Sequence, residues 1–198
     1  MAEINAAAVR NLREQTGAGM MDCKNALMES DGDVEKAVAF LRTKGLAAAA
    51  KRAGRETREG LIFSYIYTGG KVGVLMEINC ESDFVARTPD FQDLCKDLGM
   101  QIAAANPISL DRDDFSEKIL QQEIEIFKTQ AAESGKPPEI VERMIEGRVG
   151  KLYQERTLLE QPFVKDPAIS VGERIKNAIA KLGENIAVRR FTRYQLGE

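Results

Sequence analysis

Residues 61–91 read LIFSYIYTGGKVGVLMEINCESDFVARTPDF, and two kinds of secondary structure follow one another within them. Leu61 to Tyr67 alternates and is rich in β-forming side chains, which is typical of a strand. Thr68-Gly69-Gly70-Lys71 predicts a tight hairpin turn, and Val72 to Cys80 is the returning strand. Thr88-Pro89 then predicts a helix start, with threonine as cap and proline at the first position. A strand hairpin followed by a helix predicts an α+β fold with a small antiparallel sheet.

Further helices and one more strand complete this part of the chain. The helix after Thr88 has an apolar face at helical spacing, formed by Phe91, Leu94, Cys95, Leu98 and Ile102. Ser170 predicts the cap of a last helix, which is ended by Gly183. The last strand is predicted over Ile186 to Tyr194. Helices therefore cover the sheet.

A long helical hairpin is predicted over 115–159. Its two apolar stripes are Leu120, Ile124, Phe127 and Ala131, then Val141, Ile145, Val149 and Leu152. The turn between them is Gly135-Lys136-Pro137-Pro138. Such a hairpin either projects and presents a surface or packs against the sheet, and the pattern favours neither.

The first 45 residues predict three short helices. Their inward faces are Ile4, Ala8 and Leu12, then Cys23, Ala26 and Leu27, then Val34, Ala37, Val38 and Leu41. Gly45 is predicted to end the third helix. The predicted organisation is thus a helical domain over 1–45, a basic linker over 46–59 and an α+β core domain over 60–198.

Composition removes several classes of function. The chain has 198 residues, a formal net charge of −3, three cysteines without a CxxC pair and no histidine. The absence of histidine excludes Ser-His-Asp and Cys-His catalysis, and no phosphate-binding glycine loop is present. We expect no enzyme, cofactor or metal site. The short apolar runs and the polar N-terminus predict no membrane span and no signal peptide, so we expect a cytoplasmic protein with reduced thiols.

The linker carries a second, basic signal. From Arg42 to Arg58 six basic residues stand against one acid, Glu56. Such a run is either a solvated connector or a nucleic-acid contact. No aromatic residues interleave the charges, which favours the connector.

Two segments contain residues that the predicted fold does not require. Met20-Met21 follows a glycine-containing turn, and two adjacent side chains at a helix start cannot both face inward. At least one methionine is therefore expected on the surface, as contact material or as incidental packing. Asp83-Phe84 lies in a polar turn between strand and helix. Phe84 either closes the core beneath that turn or projects beside Asp83 as a wedge suited to a pocket that holds phosphate and a cation.

At these residues the sequence resembles bacterial elongation factor Ts. The N-terminal signature corresponds to residues 12–27, LREQTGAGMMDCKNAL, and 31–37, DGDVEKA. The second signature corresponds to residues 79–87, NCESDFVAR, where the family usually has threonine at Ser82. Residues 159–166, LEQPFVKD, and 183–186, GENI, resemble two further segments. The similarity runs in the right order along nearly the whole chain.

The resemblance implies a ubiquitin-associated-like N-terminal domain and a core that docks on elongation factor Tu. The family binds that GTPase in its GDP state and promotes GDP release. The segment matching Ser82, Asp83, Phe84 and Val85 inserts near the nucleotide pocket of the partner and disturbs its magnesium site. The region matching Met20 and Met21 touches the GTPase domain of the partner, and we assign a partner-binding role to Arg10 as well.

The resemblance also bears on stoichiometry. The chain has one core, like the short members of the family, which tend to pair as dimers. Thr192 stands where some short forms have a cysteine, which excludes a covalent link there, but pairing through the edge strand Ile186 to Tyr194 is compatible with the pattern. The expected assembly is a homodimer or a two-plus-two complex with the GTPase. The alternative function is a protein-binding scaffold without exchange activity, which would have no use for a polar Asp-Phe turn.

Overall fold

The computed structural model describes residues 4–132 and 137–198, and within these ranges the chain is an α+β protein. The helices are α1 (Ala6–Thr16), α2 (Met20–Glu29), α3 (Val34–Arg52), α4 (Asp83–Ala86), α5 (Pro89–Ala105), α6 (Glu117–Ala132), α7 (Pro138–Arg156) and α8 (Val171–Leu182). The strands are β1 (Glu59–Ile66), β2 (Val72–Cys80), β3 (Pro162–Phe163), β4 (Asp166–Ser170) and β5 (Ile186–Gln195). A short 3-10 helix spans Leu158–Glu160. The predicted fold class is confirmed.

A three-stranded sheet has the order β1-β2-β5, and β3 and β4 form a separate antiparallel pair. The predicted hairpin turn joins β1 to β2. Its closing hydrogen bond runs from the Tyr67 amide to the Val72 carbonyl at 2.9 Å, and Gly69 and Gly70 adopt φ angles of 93° and 70°. Only glycine adopts such angles without strain, which explains the Gly-Gly pair.

The chain divides into two compact units, each built from several segments. The first comprises Met1–Ile62, Glu77–Cys95 and Glu173–Arg189. The second comprises Phe63–Met76, Lys96–Gly172 and Arg190–Glu198. The predicted boundaries at 45 and 59 remain predictions.

The first unit begins with three packed helices, α1 to α3. Their shared core consists of Val9, Leu12, Cys23, Ala26, Leu27, Ala37 and Leu41. The prediction for α3 was wrong in two respects. Val34 and Val38 lie on the surface, because the small three-helix unit buries only the narrow stripe of Ala37 and Leu41.

The second error concerns the end of α3. The helix does not stop at Gly45 but continues to Arg52. A Cβ atom at Gly45 would lie 3.1 Å from the Cβ of Ala180 in α8. The glycine therefore serves the close approach of another helix rather than a helix stop.

Helix α5 follows its prediction closely. The Thr88 hydroxyl accepts a hydrogen bond from the Phe91 amide at 3.3 Å, which confirms the cap. The five residues of the predicted face, Phe91, Leu94, Cys95, Leu98 and Ile102, are all fully buried. The predicted apolar face of α5 is therefore a core face.

In the second unit, α6 and α7 pack against each other, as the two arms of the predicted helical hairpin would. Residues 133–136, which include Gly135 and Lys136 of the predicted turn, lie outside the described residues. Along the α6 stripe only Ala131 is buried, whereas Leu120, Ile124 and Phe127 are half-buried. All of α7 lies in the described part of the chain, and none of its residues is buried. The apolar contact between α6 and α7 is therefore narrow.

The sequence did not predict the β3–β4 pair. It is held to α5 by two buried glutamines: the Gln101 side chain donates to Gln161 at 3.1 Å and accepts from the Val164 amide at 2.8 Å. Gln161 in turn donates to the Glu155 carbonyl at 2.7 Å. Buried amides are stable only when paired in this way.

Candidate partner-binding site

The turn between β2 and α5 is a single helical turn, α4, with Ser82 as its cap. Ser82 has extended backbone angles, and its hydroxyl accepts from the Val85 amide at 3.5 Å. The Ala86 amide donates to the Ser82 carbonyl at 3.3 Å. Since Cys80 and Ala86 are buried on either side, both ends of the turn are fixed to the core.

Phe84 projects from this fixed turn. Its side chain is 80% exposed, the largest exposure among the large apolar residues of the described chain. The core-packing alternative for Phe84 is therefore wrong. Ala86 fills the inward position of the one-turn helix, and Phe84 lies on the outer side. Burial of this ring against a partner would contribute about 1.5–3 kcal/mol, which the exposed position leaves available.

Asp83 lies beside the exposed ring. Its carboxylate forms an ion pair with Arg87 at 2.8 Å, one helical turn further along the chain. Both side chains are substantially exposed, so the pair contributes at most a few tenths of a kcal/mol, roughly 0.3–0.5. Asp83 can therefore exchange Arg87 for any cation that binds its carboxylate more strongly.

The structure reveals a clamp behind the turn that pattern analysis missed. Glu184 accepts two hydrogen bonds from Ser82, from the hydroxyl at 2.6 Å and from the amide at 3.0 Å. In return, the Glu81 carboxylate accepts from the Asn185 amide at 2.6 Å. The partners are 102 and 104 residues apart in the chain, so no local spacing could have indicated the contact.

Two buried thiols lie near the clamp. Burial raises the pKa of Cys80 to about 11, and the Glu184 carboxylate adds to this effect. Burial also raises the pKa of Cys95 to about 12, with a contribution from Cys80. Neither thiol has the low pKa of a nucleophilic cysteine. Of the two, the Cys80 thiol donates to the Ser82 carbonyl at 3.1 Å and so packs beneath the turn.

The other predicted contact residues, Arg10, Met20 and Met21, lie on the surface of the same unit. Met20 is 46% exposed and Met21 67%, so both methionines rather than one are accessible. Arg10 is exposed on α1. The inward face of α2 is Cys23, Ala26 and Leu27, as predicted.

The C-terminal end of α8 lies close to both predicted contact segments. A Cβ atom at Gly17, in the loop before Met20, would lie 3.2 Å from the Lys181 side chain. Lys181 donates to Asp90 at 2.7 Å, near the start of α5. Glu184 and Asn185, just beyond the same helix, hold the Ser82 turn.

In the described residues no group of three His, Cys, Asp or Glu side chains could hold a metal ion. No described helix has the length and apolar character needed to cross a membrane.

The fold and the site define an α+β protein that displays an aromatic residue on a braced polar turn. A sequence model of the family described as Elongation factor TS matches residues 14–198. The chain is similar to elongation factor Ts of Desulforamulus reducens, with 58% identity over all of this chain and 91% of the relative. It is 57% identical to elongation factor Ts of Syntrophomonas wolfei, over 98% of this chain and 91% of the relative.

The alignment with a third relative covers the full length of both chains. Elongation factor Ts of Desulfosudis oleivorans is 50% identical over 100% of this chain and 100% of its own. The chain belongs to the elongation factor Ts family.

Proposed function

We propose that this chain is a guanine-nucleotide exchange factor for elongation factor Tu. It binds the GDP-bound GTPase, disturbs its magnesium and phosphate site, and promotes GDP release during translation elongation. Membership of the elongation factor Ts family supports the choice of partner. No covalent chemistry by this chain is required, and the factor works in the cytoplasm.

The observation that carries the proposal is the exposure of Phe84, 80%, on a turn whose backbone is held at both ends. A rigid, projecting aromatic side chain enters a pocket with little further loss of conformational freedom. Asp83 stands next to it and brings a negative charge to the same place. Ring and carboxylate together displace side chains and compete with phosphate for a cation.

Exchange follows from a difference in affinity. A factor that binds the nucleotide-free GTPase more tightly than the GDP-bound form must weaken GDP binding by the same factor. Equal affinity for both forms would shift nothing. The volume that Phe84 and Asp83 fill opens only when the contacts to magnesium and phosphate loosen, so their interaction is stronger in the nucleotide-free state.

A second contact surface provides general affinity. Arg10, Met20 and Met21 are exposed on a helical domain of ubiquitin-associated-like type, and methionine adapts to a partner surface. In this proposal they bind the GTPase domain in both nucleotide states. Their loss therefore affects docking rather than the release step.

The proposal requires no nucleic acid. Four of the six basic residues between 42 and 58 have acidic partners in the first unit: Arg42 pairs with Glu173, Lys44 with Asp22, Arg55 with Glu81 and Arg58 with Glu56. Paired charges attract a phosphate backbone less than a continuous basic strip does. This supports the connector interpretation.

The proposed assembly is a homodimer that binds two GTPases. Support comes from the second unit, where β5 is an edge strand and Ile66, Leu75, Tyr194 and Leu196 expose apolar side chains. Ile66, Leu75, Tyr194 and Leu196 line one shallow groove together. A second copy of the chain would cover this surface. Sedimentation equilibrium of the chain and of a Tyr194→Ser variant tests the dimer, which is refuted if both are monomers.

The central test is stopped-flow release of a fluorescent GDP from elongation factor Tu with excess unlabelled GDP. An exchange factor accelerates release in proportion to its concentration until it saturates. A scaffold of the alternative class binds the GTPase and leaves the release rate at its spontaneous value. That second result would refute the proposal.

A further inference from the structure

We propose that Glu184 is a positioning residue for exchange, and that it acts by fixing the direction in which Phe84 projects. The inference rests on the proposed function and adds a residue to its machinery. Glu184 itself need not touch the GTPase. It holds the turn from behind, at Ser82.

The contact between Glu184 and Ser82 is bidentate. One carboxylate oxygen accepts from the Ser82 hydroxyl at 2.6 Å, and the other accepts from the Ser82 amide at 3.0 Å. Two bonds from one planar group fix both the backbone and the side-chain rotamer of Ser82. A single bond would leave rotation about its axis.

The Ser82 hydroxyl carries the effect to the turn. While it donates to Glu184, it also accepts from the Val85 amide at 3.5 Å and so caps α4. A hydroxyl can donate and accept at the same time, and the donated bond fixes where its lone pairs point. Glu184 therefore orients the cap of the four-residue helix that contains Phe84.

The chain is built to bring Glu184 to this place. Gly183, which ends α8, has φ of 80°, and its amide donates to the Ile179 carbonyl at 2.9 Å. This left-handed residue turns the chain sharply after the helix. Asn185, which follows Glu184, is buried, and its side chain donates to the Arg55 carbonyl at 2.8 Å. Glu184 is thus held on both sides.

Reciprocity makes the clamp rigid. Glu81 accepts from the Asn185 amide at 2.6 Å, while Glu184 accepts from the Ser82 amide at 3.0 Å. Each of the two segments thus contributes one carboxylate acceptor and one amide donor. Phe84 has no comparable support of its own, because its ring is exposed. Its direction is therefore set by the backbone of the turn, and the clamp determines that backbone.

The experiment uses Glu184→Ala and Glu184→Gln in the full-length chain, with Glu173→Ala as the matched control. Glu173 lies in the first turn of α8, the helix that ends just before Glu184, and pairs with Arg42 at 2.8 Å. Two quantities are measured in the release assay: the maximal rate at saturating factor and the concentration that gives half of it. Amide hydrogen exchange of Ser82 and Val85 is followed by NMR in the same variants.

We expect Glu184→Ala to lower the maximal release rate about tenfold while the half-saturating concentration changes less than about twofold. Glu184→Gln retains one acceptor and should restore part of the rate. Exchange of the Ser82 amide should become at least about tenfold faster in Glu184→Ala. Glu173→Ala should match the wild-type chain in all three readouts.

A double-mutant cycle separates positioning from general damage. If Glu184 acts through Phe84, Glu184→Ala should lower the rate no further in a Phe84→Ala background. Full additivity, or a wild-type maximal rate in Glu184→Ala, would overturn the inference. So would unchanged Ser82 exchange, which is measured without any GTPase. Failure of the wild-type chain to release GDP would instead refute the proposed function.

Discussion

Replacement of Phe84 by alanine tests the wedge directly, because its effects on folding and on exchange should separate. The ring is 80% exposed, so its removal takes little surface from the core and should change the free energy of unfolding by less than about 0.5 kcal/mol. If the ring becomes buried in the nucleotide-free complex, about 2 kcal/mol is lost there. That corresponds to a roughly thirtyfold lower maximal rate of GDP release.

The assay is stopped-flow release of fluorescent GDP from elongation factor Tu over a range of factor concentrations. Phe40→Ala is the matched control, since it removes the same ring from an exposed position on α3. Phe84→Ala should retain docking, which is measured by calorimetry, and lose rate. A Phe84→Ala variant that releases GDP at the wild-type rate would show that the turn is not the wedge.

Three further predictions concern docking, the fold and the thiols. Changing both Met20 and Met21 to serine should raise the half-saturating concentration roughly tenfold and leave the maximal rate unchanged, whereas unchanged affinity would remove them from the contact surface. Gly60→Ala should lower the free energy of unfolding by roughly 3 kcal/mol or more in denaturant titration, because its Cβ would lie 2.1 Å from the Ile78 carbonyl oxygen. Gly69→Ala, at a similarly positive φ but with nothing within 4 Å, should cost only about 1 kcal/mol, and equal losses would refute the clash. All three cysteines are buried, so a thiol reagent at pH 8 should label none of them in the native chain within minutes and three after unfolding.

Sequence patterns predicted those elements whose signals are local. The β1–β2 hairpin has alternation on both sides of a Gly-Gly turn, and α5 has a cap and a complete apolar stripe. The prediction at Gly45 was wrong because a glycine in a helical pattern can mark either the end of the helix or a close contact with another element. Only the position of Ala180 distinguishes the two. The β3–β4 pair was missed because its strands are short and depend on the buried partners Gln101 and Gln161.

In the candidate site, too, local features could be predicted from the sequence and long-range contacts could not. The position of the polar turn could be predicted from the sequence, but the direction of Phe84 could not, and the choice of Asp83 and Phe84 as site residues stays a prediction. One helical turn has no periodicity, so burial and exposure produce the same pattern. The contact between Glu184 and Ser82 could not be predicted for a different reason: the two residues are 102 positions apart, and a hydrogen bond leaves no spacing rule between distant segments.

The geometry of the turn is consistent with the proposed role of Phe84 in nucleotide exchange. A flexible loop carrying Phe84 would have to be ordered on binding, and that ordering would consume part of the affinity gained. Here Ser82 is already fixed by Glu184, and Asp83 is held by Arg87 in an exposed pair that a stronger cation site can displace. The interaction therefore gains from burial of the ring without ordering of the backbone. In the proposed mechanism the space for the ring exists only when the nucleotide contacts have loosened, so that gain favours the nucleotide-free state and the same free energy lowers the affinity for GDP.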